Sequence, residues 1–405
     1  MSRRRTTKPF YKALSHPYDP LNGHEVDESI YRSAGEPETG FVEVDSWVPG
    51  DVLLDDGKYE STSMVEIAYT KWGSGKTLVV FLHGVPTNRI QWYPVQKRMA
   101  RFCETISFDM LGLGESTMPL RKDLASWEWI NDTVWLGAVM QKLYGRRKFI
   151  FIADDWGAGI ALHYAAKHPD SLLALGLLDP IAFDSYPVSE IQGIAKLSAV
   201  KDQKTFEMMT AAFDQTLTVI LKQMVHDPSK FNQYKLRDIM WPYVDVDYER
   251  SKYRDGEDAD SMTLRLNYHA IRVLADRSSR LAPAQLLPYD EIENERGVDY
   301  SKIKVPVLVM WGEYDTMMSE AQRHRFQYVL ENTNVQLIRV PRAGHFAGID
   351  QPEFVAETIL NFMVEKLGRR ALEDVFLGFN DRQTIWKGDE KEMIVDLRKI
   401  YGMKV

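Results

Sequence analysis

The sequence predicts an α/β protein in which a mostly parallel sheet carries helices on both faces and is interrupted by an inserted helical cap. Three observations predict it. Short β-branched and aromatic runs alternate with helix-patterned segments between residues 62 and 181, and again between 296 and 368. From 182 to 295 that alternation stops, and Met, Phe and Tyr are scattered through helix-forming sequence. Between these parts, the run Phe149-Ile150-Phe151-Ile152 ends in Ala153-Asp154-Asp155-Trp156-Gly157, a strand that breaks sharply into a helix. Strands separated by helices imply parallel pairing, with both faces of the sheet covered.

Taken in order, residues 1–61 are rich in Pro, Gly, Asp and Glu, with Tyr18-Asp19-Pro20-Leu21-Asn22-Gly23 as a turn. They are expected to form an extension lying on the core, so that Met64–Tyr69 opens the sheet. A buried strand over Thr77–Leu82 runs into His83-Gly84-Val85-Pro86, and another spans Glu104–Asp109. Ser126–Tyr144 reads as a helix, with Trp127, Ile130, Val134 and Ala138 on one face. The apolar run Leu172–Leu178 ends at Asp179, and the cap follows over 182–295. Its Met208, Met209, Phe213, Met224, Trp241 and Tyr243 either line an apolar pocket or pack in a core. The sheet resumes with Val305–Trp311, which leads into Gly312-Glu313-Tyr314-Asp315. Val335–Val340 then leads into Arg342-Ala343-Gly344-His345-Phe346, before a helix from Pro352 to about Leu367. Residues 369–405 are a charged extension with Phe376, Phe379, Trp386 and Ile394 available for docking.

The strand-to-helix junction carries the chemistry. A nucleophile elbow needs small residues two places before and two places after its central residue, because the backbone there is strained and neighbouring chain packs close. Centring on Asp155 puts Ala153 and Gly157 at those places, whereas centring on Asp154 would put Ile152 and Trp156 there. The central residue is therefore Asp155. A carboxylate in that position attacks carbon by displacement and leaves an alkyl ester, a chemistry suited to epoxides and carbon–halogen bonds. Asp154 is expected to diverge from Asp155 and to bond backbone or a neighbouring loop, since two carboxylates facing one another repel.

The chain order nucleophile, acid, histidine, together with His83-Gly84-Val85-Pro86 and Asp109-Met110-Leu111-Gly112-Leu113-Gly114-Glu115-Ser116, resembles the α/β-hydrolase superfamily over roughly residues 62–368. Asp155-Trp156 at the elbow is similar to the epoxide hydrolase and haloalkane dehalogenase branch. The resemblance implies Asp155 as nucleophile, His345 as the base that hydrolyses the ester, and Asp315 as the acid that orients the imidazole. Asp179 is the rival for that last role, because some dehalogenases place their acid after the earlier strand. Backbone N–H groups of Val85 and Trp156 would form the oxyanion hole.

The leaving group separates the two activities. For a halide the family pairs the elbow tryptophan N–H, here Trp156, with a second donor, often a polar side chain immediately after His-Gly. That position is Val85, which has no side-chain donor. An epoxide needs an acidic O–H, and Leu266-Asn267-Tyr268-His269-Ala270 resembles the cap segment that carries such a tyrosine. Tyr268 is the first candidate and His269 the second, with Trp241 available as a cap donor for a halide. Epoxide opening is favoured, with haloalkane dehalogenation as the alternative. A non-catalytic binding protein on the same fold is disfavoured by the intact Asp155, His345 and Asp315. A serine esterase is disfavoured because no G-x-S-x-G occurs.

Composition sets the outer limits. The 405 residues exceed one compact core, which accommodates the cap and extensions. A formal net charge of −8 argues against nucleic acid as a partner. The single cysteine, Cys103, excludes an intrachain disulfide and reads as a buried structural thiol in a reducing compartment. No apolar stretch is long enough to span a bilayer. The basic start, Met1 to Lys8, lacks the apolar segment of a secretory signal, so a cytoplasmic protein is expected. No metal-ligand cluster is evident in the sequence, and the expected reaction needs no cofactor, only a small apolar substrate with an epoxide or carbon–halogen group.

Overall fold

The computed structural model describes residues 35–47, 62–117, 129–183, 189–210, 221–230, 272–279, 297–318 and 321–368. Eight strands form one sheet: β1 (Glu38–Trp47), β2 (Thr62–Trp72), β3 (Leu78–Leu82), β4 (Glu104–Phe108), β5 (Phe149–Asp154), β6 (Leu172–Leu178), β7 (Val307–Gly312) and β8 (Val335–Val340). Their spatial order is β1-β2-β4-β3-β5-β6-β7-β8. β2 runs antiparallel to both β1 and β4, and every later pairing is parallel. β5 therefore lies near the middle of the sheet, where its C-terminal end is flanked by the ends of β3 and β6.

The strands are buried on both faces, and alternate residues supply two cores. Leu78, Val80 and Leu82 of β3 join Phe149, Phe151 and Ala153 of β5 on one side, packed against α2 (Trp129–Tyr144) and α3 (Asp155–Lys167). Val79 and Phe81 join Ile150 and Ile152 on the other, against α1 (Tyr93–Met99) and the C-terminal helix (Pro352–Leu367). A two-sided apolar run of this kind suits a central parallel strand. In α2 the deeply buried stripe is Trp135, Leu136, Val139 and Met140; Val134 and Ala138 are half-buried beside it. The expected face was thus displaced by about one residue. Cys103 is buried between α1 and β4, its thiol donating to Met99 O at 3.3 Å, and burial pushes its pKa up.

The sheet does not open at Met64. β1 pairs antiparallel with β2 along its whole length, from Glu38 opposite Lys71 to Trp47 opposite Thr62. Part of the expected N-terminal extension is therefore an edge strand, with Val42 and Val44 buried and Phe41 and Glu43 facing out. The alternation was present in the sequence but is short, and its acidic surroundings read as loop.

Within 182–295 the described elements are helical: α4 (Ser189–Lys196), α5 (Gln203–Thr210) and the stretch 272–279. Met224 is buried, whereas Met208 and Met209 are exposed at 71% and 47%, so neither of the latter two packs in a core. Phe213, Trp241, Tyr243, Tyr268, His269 and the tail 369–405 lie outside the described residues. No described helix is long and apolar enough to cross a membrane.

Candidate active site

The C-terminal ends of β5, β7 and β8 bring three side chains together. β5 ends at Asp154, and α3 begins at once with Asp155, whose φ is +50°. A non-glycine residue in this left-handed region is strained, as the elbow requires. The spacing rule has a direct steric cause. A Cβ at Gly157 would lie 2.5 Å from His83 O and 2.7 Å from Leu82 O, so no larger residue fits without moving backbone. A Cβ at Gly84 would lie 2.6 Å from Asp155 Oδ2, so the loop after β3 must pass Asp155 as glycine.

Asp155 is 4% exposed, and each of its oxygens has a distinct partner. The Val85 N–H donates to Oδ2 at 2.9 Å. His345 Nε2 faces Oδ1 at 3.2 Å, and on the other side of the ring Nδ1 lies 3.0 Å from Asp315 Oδ2. Asp315 Oδ1 accepts the N–H groups of Met317 and Met318 at 2.8 and 3.0 Å, which fixes the carboxylate toward the ring. His345 is 1% exposed. Burial opposes its charge, but the Asp315 and Asp155 carboxylates outweigh burial and hold its pKa well above the usual histidine value. The two carboxylates thus favour the charged form of the imidazole that lies between them. Trp156 is buried next to Asp155 in the sequence, its ring edge-on to Trp129 at 5.5 Å between centroids.

The loop that offers Val85 is held from below. His83 is fully buried. Burial drives its pKa down to about 3, so the neutral ring donates from Nδ1 to Gly84 O at 2.7 Å and accepts the Met110 N–H at Nε2. The Thr87 hydroxyl sits between Gly84 O and Gln91 Oε1, and Gln91 Nε2 donates to Asp154 Oδ2. Asp154 thus bonds a neighbouring loop and ties the elbow to the segment after Val85. Burial first, then the Asp155 charge, raises its pKa well above the carboxylate range. The segment Asp109–Ser116 is structural: Arg89 pairs with Asp109 and Glu115, and Ser116 Oγ donates to Asp109 O.

Two contributors escaped the sequence reading. Asp350, 1% exposed, accepts the N–H groups of Gly344, His226 and Asp227 and so pins the histidine loop to the segment 221–230. Gln91 was the other; one polar residue after a loop carries no signal of its partner. Asp179, the rival acid, is also present: Asp179, Asp315 and His345 place one ligand-type atom each within 4.8 Å of one another. A metal could be held by such a set, but His345 Nδ1 is already engaged with Asp315, which describes a hydrogen-bonded acid–imidazole pair.

A family model described as alpha/beta hydrolase fold matches residues 77–352. A haloalkane dehalogenase of Mesorhizobium japonicum is 30% identical over 113 residues, 28% of this chain and 35% of that protein. Epoxide hydrolase 1 of Caenorhabditis elegans is 23% identical over 316 residues, 76% of this chain and 70% of that protein. Among solved structures, haloalkane dehalogenase DatA of Agrobacterium tumefaciens superposes with a TM-score of 0.53 at 18% identity, covering 81% of this chain and 97% of that one.

Proposed function

The chain belongs to the alpha/beta hydrolase fold family, and from that premise we propose that it is a hydrolase that opens small apolar epoxides through an ester on Asp155. One observation carries this reading: the residue at the strained elbow is a carboxylate, bound at Oδ2 by the Val85 N–H and at Oδ1 by His345. A serine at that place would serve acyl transfer; a carboxylate serves displacement at carbon.

In the first step Asp155 Oδ1 attacks an epoxide carbon, the carbon–oxygen bond breaks, and its electron pair passes to the epoxide oxygen. That oxygen takes a proton from an acidic O–H, for which Tyr268 is the candidate and His269 the second. Oδ2 becomes the ester carbonyl oxygen, already held by Val85 N–H, with the Trp156 N–H as the second oxyanion donor. Esterification also removes the Asp155 charge, one of the two carboxylates that hold His345 protonated. Its pKa therefore falls at the point where a base is needed. Once Nε2 has given up its proton to water, His345 can deprotonate the water that attacks the ester carbonyl, while Asp315 keeps the proton on Nδ1 and stabilises the imidazolium that forms. Collapse of the tetrahedral intermediate expels Oδ1 with the product diol and leaves the water oxygen on Asp155.

The haloalkane alternative uses the same Asp155, His345 and Asp315, and differs only at the leaving group. It would need a second halide donor beside Trp156, which the Val85 side chain cannot supply and for which Trp241 is a cap candidate. The broader match to an epoxide hydrolase, over 76% of the chain, supports the epoxide reading over the 28% matched by the dehalogenase. The test is intact-mass measurement of His345→Gln after incubation with epoxide and haloalkane panels. An adduct at the mass of the whole epoxide should accumulate, because attack needs no base and hydrolysis does. An adduct only from haloalkanes moves the assignment to dehalogenation, and no adduct from either panel, under conditions where wild type turns over, ends the covalent reading.

A further inference from the structure

Asp179 ends β6 with φ +37°, a strained setting for a non-glycine residue, and is fully buried. Its N–H donates to Met310 O at 3.0 Å and its Oδ1 accepts the Gly312 N–H at 2.7 Å, so the residue is bound to β7, the strand that delivers Asp315. Its Oδ2 is buried with no hydrogen-bond partner among the described residues, and Asp179, Asp315 and His345 each place one ligand-type atom within 4.8 Å of the others. The groups facing it are Asp154 from the end of β5, Asp315 from the loop after β7 and His345 from the loop after β8; Asp155, at the head of α3, is bonded through its backbone oxygen to Ile181 N–H. Burial, then the Asp315 charge, pushes its pKa well above the carboxylate range. Two carboxylates cannot both ionise economically in one dry site beside a single imidazole.

We propose that Asp179 and Asp315 form a paired acid for His345, with one negative charge between them, in which Asp179 is a positioning residue that becomes the ring's carboxylate whenever Asp315 is neutralised. The inference rests on the proposed function only in taking His345 as the base. In the resting pair Asp315 holds the charge and Asp179 the proton. When Asp315 loses its charge, the Asp179 proton leaves to water rather than to the ring, which is already in its favoured charged form, and the charge on the far side of the ring is restored.

The experiment uses full-length wild type, Asp179→Asn, Asp315→Asn and the double variant, with folding checked by circular dichroism. Asp179→Ser serves as the second substitution if the carboxamide does not fold. Ring nitrogen NMR follows the His345 titration without substrate, and single-turnover kinetics follow ester hydrolysis. Asp315→Asn should lose more than Asp179→Asn, about a hundredfold, and the double variant about 10⁴-fold, the loss suffered by an imidazole without its carboxylate. The losses should be strongly non-additive. The His345 pKa should stay raised in Asp315→Asn and drop in the double variant, and the rate profile of Asp315→Asn should gain an acid limb that the double variant lacks. If Asp315→Asn matches the double variant in both titration and rate, Asp179 is no partner of the ring. If no ester forms on Asp155 while the titrations still separate the variants, the proposed function fails and the paired acid stands.

Discussion

Asp154 and Asp155 are adjacent acids with opposite environments, and that contrast yields two predictions. Asp155 meets an N–H donor and the His345 imidazole, whereas Asp154 meets a carboxamide and carries a buried Oδ1 with no hydrogen-bond partner among the described residues. Asp155→Ala should abolish turnover, and Asp154→Asn should retain most of it. In single turnover, labelled oxygen from water should enter the carboxylate of Asp155. Label on Asp154, or label reaching product without passing through the protein, sinks the assignment. The second prediction concerns stability. A carboxyl whose folded pKa is raised binds its proton in the native state after the unfolded chain has released it, so stability falls as pH rises above the ordinary value of about 4. Asp154→Asn removes that loss. Melting temperatures of wild type and Asp154→Asn should therefore diverge in the variant's favour between pH 4 and pH 7. A constant gap across that range shows that Asp154 is ionised in the folded protein.

At the scale of elements, the elbow depends on the distance between α3 and the end of β3. Gly157→Ala would press a methyl group against two backbone oxygens of residues 82 and 83, which cannot rotate away as a side chain would. The cost should be about 3 kcal/mol, the upper part of the range for overpacking, with a larger loss in rate because Gly84 and Val85 follow directly. Unchanged melting temperature and rate together would show that the two elements have slack between them. This geometry was legible in the sequence because the elbow is local: Ala153, Asp155 and Gly157 are fixed by one strand and one turn. The order of Asp155, Asp315 and His345 was legible because each closes or follows an apolar run. The edge strand β1 was not, since ten residues with two buried valines acquire meaning only opposite β2. The sequence preferred Asp315 and kept Asp179 as its rival, because β6 and β7 are neighbours and both strand ends open on the same ring.

At the scale of the whole molecule, the helical stretch 272–279, within the expected cap, is locked to the hydrolase core by a buried ion pair. Arg277 Nη1 lies 2.9 Å from Asp132 Oδ2 of α2, with both side chains fully buried, and Nη2 donates to Leu111 O at 2.7 Å. Trp135 Nε1 donates to the other Asp132 oxygen at 2.8 Å. Such a pair adds little net stability against an apolar substitute, but removing one partner strands a buried charge at a cost of about 3–5 kcal/mol. Arg277→Ala should therefore lower stability by about that amount, and the double variant Arg277→Met with Asp132→Leu should recover most of it. The kinetic consequence follows from the division of labour proposed for the reaction. In the proposed reaction, ester hydrolysis would be carried by Asp155, His345 and Asp315, all on the core, whereas epoxide opening would draw its proton from Tyr268, a few residues before this stretch in the sequence. A cap released from α2 should thus slow alkylation much more than ester hydrolysis in the stable double variant, as Tyr268→Phe should do without any loss of stability. Single-turnover traces that separate the two steps provide the check. An equal slowing of both steps in either variant would show that the proton for ring opening comes from the core rather than from the cap.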